Sequence, residues 1–146
     1  MHVQSLGHVV LKVRNLARSV PFYRDILGLA EVARLGDDMV FFSIAGNHHD
    51  VALQQVGDDA PDPPAKAPGL AHVALKIGDD LTALREAKAH LQAHGVQILR
   101  LRDHEVSQSI YFSDLDGNVL EVFVDADPEI WRADPAKVAT TIPLDL

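Results

Sequence analysis

The sequence contains no cysteine, which excludes a disulfide framework, a thiolate nucleophile and any Cys-ligated zinc or iron–sulfur centre. A metal would have to be held by nitrogen and oxygen donors, a set that suits iron, manganese, nickel, cobalt or zinc. Long apolar runs are missing too. The best stretches, residues 6–11 and 119–124, fall far short of the roughly 20 residues needed to cross a bilayer. The N-terminus shows no signal-peptide pattern, so a cytoplasmic protein with no membrane partner is expected. Basic residues are in the minority, 13 Lys and Arg against 21 Asp and Glu, for a formal net charge of −8. That charge repels phosphate backbones and no window gathers a basic track, so nucleic acid is not an expected partner. What is present is a chain of 146 residues, 47% of them hydrophobic, enough for one globular domain with a shared core.

An internal repeat organises that chain. Leu6-Gly7-His8-Val9-Val10-Leu11-Lys12-Val13 laid over Leu70-Ala71-His72-Val73-Ala74-Leu75-Lys76-Ile77 gives five identities in eight positions at an offset of 64. A second echo pairs Gly46-Asn47 and Asp50-Val51 with Gly117-Asn118 and Glu121-Val122 at an offset of 71, and places Phe41 on Phe112.

Both halves read as strand, helix and three strands. In the first, residues 6–13 are β-rich, Asn15 caps a helix stopped by Gly28, and strands follow near 30–35, 38–45 and 50–56. Pro21 sits late for a first-turn proline, so an irregular helix start is expected. In the second half, strand 71–77 leads to a helix from about Asp79 or Asp80 to His94, stopped by Gly95, and strands near 96–101, 107–112 and 119–124. Residues 114–118 read as a hairpin turn. The expected layout is one domain: module one over about 5–56, a Pro- and Asp-rich linker over 57–69, module two over about 70–125, and a tail over 126–146 that packs back on the body or on a second subunit. The fold class is α+β, two tandem βαβββ modules curling into a cup-shaped mixed sheet around a metal cavity.

The repeat puts His8 and His72 at the same position on the first strand of each module, and the last strand of module two delivers Glu121. Two imidazoles and a carboxylate on three strands match the facial arrangement that leaves positions open on non-haem iron, and that also suits manganese, nickel or zinc. His8, His72 and Glu121 are therefore the expected metal ligands. His90 and His94 can share a helix face but lack a third ligand nearby in sequence.

Residues 7–11, 15–29, 70–75 and 116–122 resemble the vicinal oxygen chelate superfamily. It includes glyoxalase I, extradiol catechol dioxygenases, fosfomycin-modifying enzymes and metal-free bleomycin-binding proteins. The resemblance runs over about residues 5–125 and implies the glyoxalase/dihydroxybiphenyl dioxygenase fold. It does not by itself choose a reaction. Finer features are similar to the extradiol enzymes: His48-His49-Asp50-Val51-Ala52 resembles the segment that carries a catalytic histidine there, with His49 in that place. Residues 103–112 resemble the segment supplying an active-site histidine and tyrosine, here His104 and Tyr111. The resemblance thus implies an Fe(II)- or Mn(II)-dependent oxidoreductase of aromatic catabolism, cleaving a catechol-like vicinal diol with dioxygen, with His49, Tyr111 and His104 as catalytic residues.

Two other readings stay open. In the repeat alignment Asp50, not His49, takes the place of Glu121, and alternation puts neighbours on opposite faces. Asp50 as a fourth ligand would give a glyoxalase-I-like lyase or isomerase using Ni(II) or Zn(II), although Ala52 and Leu53 offer no ligand in the matching strand. A metal-free protein binding a drug or metabolite is the third class. Modules of this kind pair within a chain or exchange between chains, and a homodimer is expected.

Overall fold

The computed structural model describes residues 1–64 and 66–146; Ala65, inside the expected linker, lies outside the described residues. The chain divides into two compact units, Met1–Ala65 and Lys66–Leu146. Among the described residues no helix is long and apolar enough to cross a membrane.

The first unit runs β1 (Val9–Val13), α1 (Leu16–Pro21), β2 (Ala30–Leu35), β3 (Met39–Ser43) and β4 (Val51–Gln55). Its sheet has the order β1-β4-β3-β2, with β1 parallel to β4 and the other pairs antiparallel. Asn15 caps α1 by accepting from the Ala17 N–H, and the Gln55 side chain accepts from the Leu16 N–H at 2.9 Å, tying the helix start to β4. The helix therefore starts regularly, contrary to expectation, and the irregularity comes after Pro21. Proline has no N–H to return to the preceding turn, and the chain widens into a π-helical turn over Phe22–Ile26, closed by the Leu27 N–H donating to the Phe22 carbonyl at 3.1 Å. Gly28, at φ 75°, ends it. Leu16, Val20, Phe22 and Tyr23 are buried, as are Leu11, Val13, Val40, Phe42, Val51 and Leu53 on the strands.

The second unit runs β5 (Val73–Gly78), α2 (Leu81–Ala93), β6 (Ile98–Asp103), β7 (Ser107–Ser113) and β8 (Val119–Asp125). A tail follows with α3 (Glu129–Ala133), a 3-10 turn over Pro135–Ala139 and the short β9 (Ile142–Pro143). The sheet order is β5-β8-β7-β6-β9, so the tail packs back on its own unit as an extra edge strand. Asp80 caps α2 by accepting from Thr82 and Ala83, and Leu84 and Leu91, two turns apart, bury its inner face. In the β7–β8 turn, Asp114 Oδ1 accepts from the Asp116 and Asn118 N–H groups at 2.9 and 2.8 Å.

Each unit is thus a βαβββ module with a mixed sheet. Both first strands start later than expected, at Val9 and Val73, because the parallel ladders begin there, opposite Val51 and Leu120. His8 and His72 consequently sit just ahead of the strands rather than on them.

Candidate active site

In the second unit a row of register partners crosses the sheet: Ala74 opposite Glu121, Glu121 opposite Tyr111, and Tyr111 opposite Arg100. Directly paired residues project to the same face, so this face carries the carboxylate, the phenol and the guanidinium together. His72, two residues ahead of Ala74, brings Nε2 to 3.0 Å from Glu121 Oε2. Its ring meets Tyr111 edge-on with centroids 5.3 Å apart.

Glu121 is 6% exposed, and a buried carboxylate needs partners. One is Ser109, fully buried, whose hydroxyl donates to Oε1 at 2.5 Å. Ser109 is two residues from Tyr111 on β7, hence on the same face and diagonal to Glu121. With Oε1 anchored, Oε2 is left to the imidazole.

Tyr111, 5% exposed, is held from three sides. The Arg100 guanidinium lies over its ring at 4.1 Å, His104 Nε2 stands 3.1 Å from its hydroxyl, and the Glu121 carboxylate is its other hydrogen-bond partner. Burial, and then Glu121, push the phenol up from 10.0 to about 12. At neutral pH Tyr111 is therefore a neutral donor. His104 lies beyond the end of β6, and its Nδ1 is 2.7 Å from the Thr140 carbonyl of the tail.

The first unit gathers histidines. The His8 and His49 ring centroids are 4.3 Å apart, His48 Nδ1 and His49 Nδ1 are 2.7 Å apart, and Phe41 meets His49 edge-on at 5.2 Å. Desolvation, and then the neighbouring His8 and His48, lower the His49 pKa, which favours its neutral form. Asp50 turns to other work. Its carboxylate accepts from the Ile44 N–H at 2.7 Å and from Asn47 Nδ2 at 2.6 Å, closing the turn before β4. Asn47 and the Ile44 N–H hold this carboxyl below its ordinary value.

Strand register also corrects the repeat alignment. Val10 and Ala74 are the repeat-related residues, and they pair with Ala52 and Glu121 respectively. Ala52, not Asp50, is thus the counterpart of Glu121. By the same logic Phe41, opposite Ala52, corresponds to Tyr111 and not to Phe112. The two-residue slip arises because residues 44–50 form a turn, while strand parity survives a shift of two.

Among the expected site residues the structure therefore brings His72, Glu121, Tyr111 and His104 into one network, and His8 beside His49. Among the described residues no three His, Cys, Asp or Glu side chains form a group able to hold a metal ion. The His72–Glu121 pair nonetheless fits one in donor chemistry, since an imidazole nitrogen and a carboxylate oxygen converge while a second partner orients the carboxylate. Sequence reasoning passed over Ser109 and Arg100. The alternation Ser107, Ser109, Tyr111 on the strand paired with Glu121 is the signal that would have found the serine.

Known proteins resemble this chain over most of its length. The model of the Glyoxalase/Bleomycin resistance protein/Dioxygenase superfamily matches residues 5–122. A catechol-2,3-dioxygenase of Bacillus subtilis is 31% identical over 97% of this chain, which spans 49% of that enzyme's length. A metallothiol transferase FosB of Staphylococcus epidermidis is 33% identical over 82% of this chain and 83% of its own. Among solved structures, the fosfomycin resistance protein FosX of Listeria monocytogenes superposes with a TM-score of 0.67 at 25% identity, covering 90% of this chain and 99% of that one.

Proposed function

This chain belongs to the glyoxalase/bleomycin resistance protein/dioxygenase superfamily, and from that premise we propose that it is a metal-dependent extradiol dioxygenase opening the ring of a catechol-like vicinal diol. The observation that carries this reading is the contact of His104 Nε2 with the Tyr111 hydroxyl at 3.1 Å, set beside the His72–Glu121 pair at 3.0 Å. A protonated phenol and an imidazole flanking a carboxylate–imidazole pair suit a substrate with two adjacent oxygens. One oxygen meets hydrogen-bond partners while the other stays near the ligands.

In this reading His72 and Glu121 hold the metal, with His8 as third ligand on the strength of its repeat relation to His72. When bound, Fe(II) or Mn(II) supplies chelation of the two diol oxygens and the electrons through which dioxygen reacts. Ser109 orients Glu121, and Arg100 fixes the Tyr111 ring. Tyr111 donates its one proton to a substrate oxygen, which frees His104 Nε2 to accept from the substrate instead. His49, kept neutral by its surroundings, takes the proton released when the diol ionises and returns it as the ring opens. Both oxygen atoms of dioxygen enter the product, so the overall reaction needs no external reductant. The enzyme is proposed to work as a cytoplasmic homodimer, and a monomer-only sedimentation profile at micromolar concentration would count against the dimer.

A second reading has its own support. FosB-type relatives match most of their length as well as most of this chain, whereas the chain spans only about half of the catechol dioxygenase. The two readings separate in one experiment: anaerobically Fe(II)-loaded protein mixed with catechol or 2,3-dihydroxybiphenyl in air, beside Mn(II)-loaded protein mixed with fosfomycin and a thiol. A yellow ring-cleavage product is expected from the first mixture. Loss of fosfomycin without ring cleavage would replace the proposal with thiol transfer. The glyoxalase-like alternative has less support, because Ala52 stands where Glu121 stands in the other unit.

A further inference from the structure

We infer that the C-terminal tail, residues 134–146, is a positioning element of the candidate site, with the Thr140 backbone carbonyl fixing His104 in the tautomer that accepts from Tyr111. The inference deepens the function proposed above and rests on its placing of His104 and Tyr111 beside the substrate.

A carbonyl oxygen only accepts. The 2.7 Å contact of His104 Nδ1 with the Thr140 carbonyl therefore requires the imidazole proton on Nδ1. In the neutral ring Nε2 is then a bare lone pair that can only accept, so it meets the Tyr111 hydroxyl 3.1 Å away as a second acceptor, beside Glu121, for the one phenol proton. Were the proton on Nε2 instead, the ring would donate to the phenol and the Thr140 carbonyl would lose its partner. A backbone group of the tail thus decides which way the His104–Tyr111 hydrogen bond runs.

The turn that carries His104 is gripped by the same tail. The His104 N–H donates to the Ser107 carbonyl at 2.8 Å, and the next residue, Glu105, has φ 63°, the single left-handed non-glycine backbone among the described residues. Such a conformation costs about 1 kcal/mol or more and persists when its surroundings over-determine it. Here Asp103 Oδ1 accepts from the Glu105 N–H at 2.7 Å, and Lys137 of the tail pairs with the Glu105 carboxylate at 2.6 Å. Ile142 and Pro143 pair with Asp103 and Arg102. Three tail contacts therefore meet three consecutive residues around His104. A strand that only capped the sheet edge would need the β9–β6 pairing and neither of the other two.

The test uses the full-length metal-free protein, without substrate, so that its outcome is independent of the reaction. In a long-range proton–nitrogen NMR correlation near pH 8, His104, assigned by comparison with His104→Gln, is expected to carry its proton on Nδ1 and a bare Nε2. A proton on Nε2 would overturn the inference. A second pair of variants tests the grip itself. The shorter amide of His104→Asn can still donate to Thr140, whereas His104→Gln reaches toward Tyr111 and leaves that carbonyl unpaired. Amide exchange over residues 137–142 is expected to stay near wild type in His104→Asn and to accelerate at least tenfold in His104→Gln. Equal exchange in the two would show that the Thr140 bond does not hold the tail, and would sink the proposal. Failure on either count leaves the dioxygenase reading standing, and a dioxygenase failure leaves these two readouts unchanged.

Discussion

Tyr111 and Glu121 face one another as a register pair on β7 and β8, and the carboxylate accepts a 2.5 Å bond from Ser109 on its Oε1. A phenol and a carboxylate placed this way divide the labour by charge. The phenol keeps its proton, while the other carboxylate oxygen faces the His72 imidazole at 3.0 Å.

Alkali should destabilise the fold through Tyr111. The Tyr111 pKa rises from 10.0 to about 12 on folding, chiefly through burial. A raised pKa means that the unfolded chain releases this proton first, so the stability it contributes is complete below pH 10 and is lost as pH climbs through about 12. Urea denaturation between pH 9 and 12 should show the wild type losing stability more steeply than Tyr111→Phe. Parallel curves for the two would mean that the phenol titrates normally.

The same variant separates chemistry from packing. Tyr111→Phe keeps the ring under Arg100 and beside His72, so melting near neutral pH should change by no more than about 1–2 kcal/mol, the worth of one hydrogen bond. Turnover of a catechol should fall by about 100-fold or more if the hydroxyl handles a proton in the transition state. Unchanged kcat with raised KM would leave it a binding role only.

Ser109 offers a test of orientation. Ser109→Ala removes a bond to a buried carboxylate, at a cost of about 1.5–3 kcal/mol, readable by thermal or urea unfolding. It should also weaken metal retention by about 10- to 100-fold, as loss of a partner behind a ligand does. Destabilisation with undiminished metal binding would show that the serine serves only the fold.

How much of this was legible in the sequence depended on the kind of signal each residue leaves. His72 and Glu121 could be found because the repeat marks the histidine and Glu121 stands between apolar neighbours inside β8. The register of the first unit could not, since the turn at residues 44–50 imitates the Gly-Asn spacing of 117–118 and slides the alignment from Ala52 to Asp50. Pro21 announced an irregular helix, but only the structure shows that the widened turn follows it. Thr140 acts through its carbonyl, which every residue carries, so no pattern of side chains singles it out.

Acid should loosen a turn in the other unit. Asn47 and the Ile44 N–H hold Asp50 below its ordinary value, so the turn it closes is intact above the usual carboxylate range and opens as pH falls through the lowered pKa. Asp50→Asn should remove that dependence. Hydrogen exchange of the Ile44 amide from pH 6 down to 2 should then show an acid-induced rise in the wild type and a flat, elevated rate in the variant. A wild-type rate free of any such rise would detach Asp50 from the turn.

Glu121→Gln gives the sharpest division between metal ligand and scaffold. The amide has the shape of the carboxylate and its carbonyl oxygen can still accept from Ser109, while its NH2 can no longer accept from Tyr111, so unfolding should move by no more than about 1–2 kcal/mol, the worth of one hydrogen bond. What disappears is the negative charge beside His72 Nε2, and with it the attraction for a divalent cation. Elemental analysis after anaerobic loading with Fe(II) or Mn(II) should find the wild type retaining metal through gel filtration and the variant losing it. If Glu121→Gln unfolds and wild type retains no metal, the carboxylate is structural and the His72–Glu121 contact is an ordinary part-buried side-chain contact. Retention by both proteins would move the ligand role elsewhere on the chain and leave Glu121 as the acceptor that orders Ser109 and Tyr111.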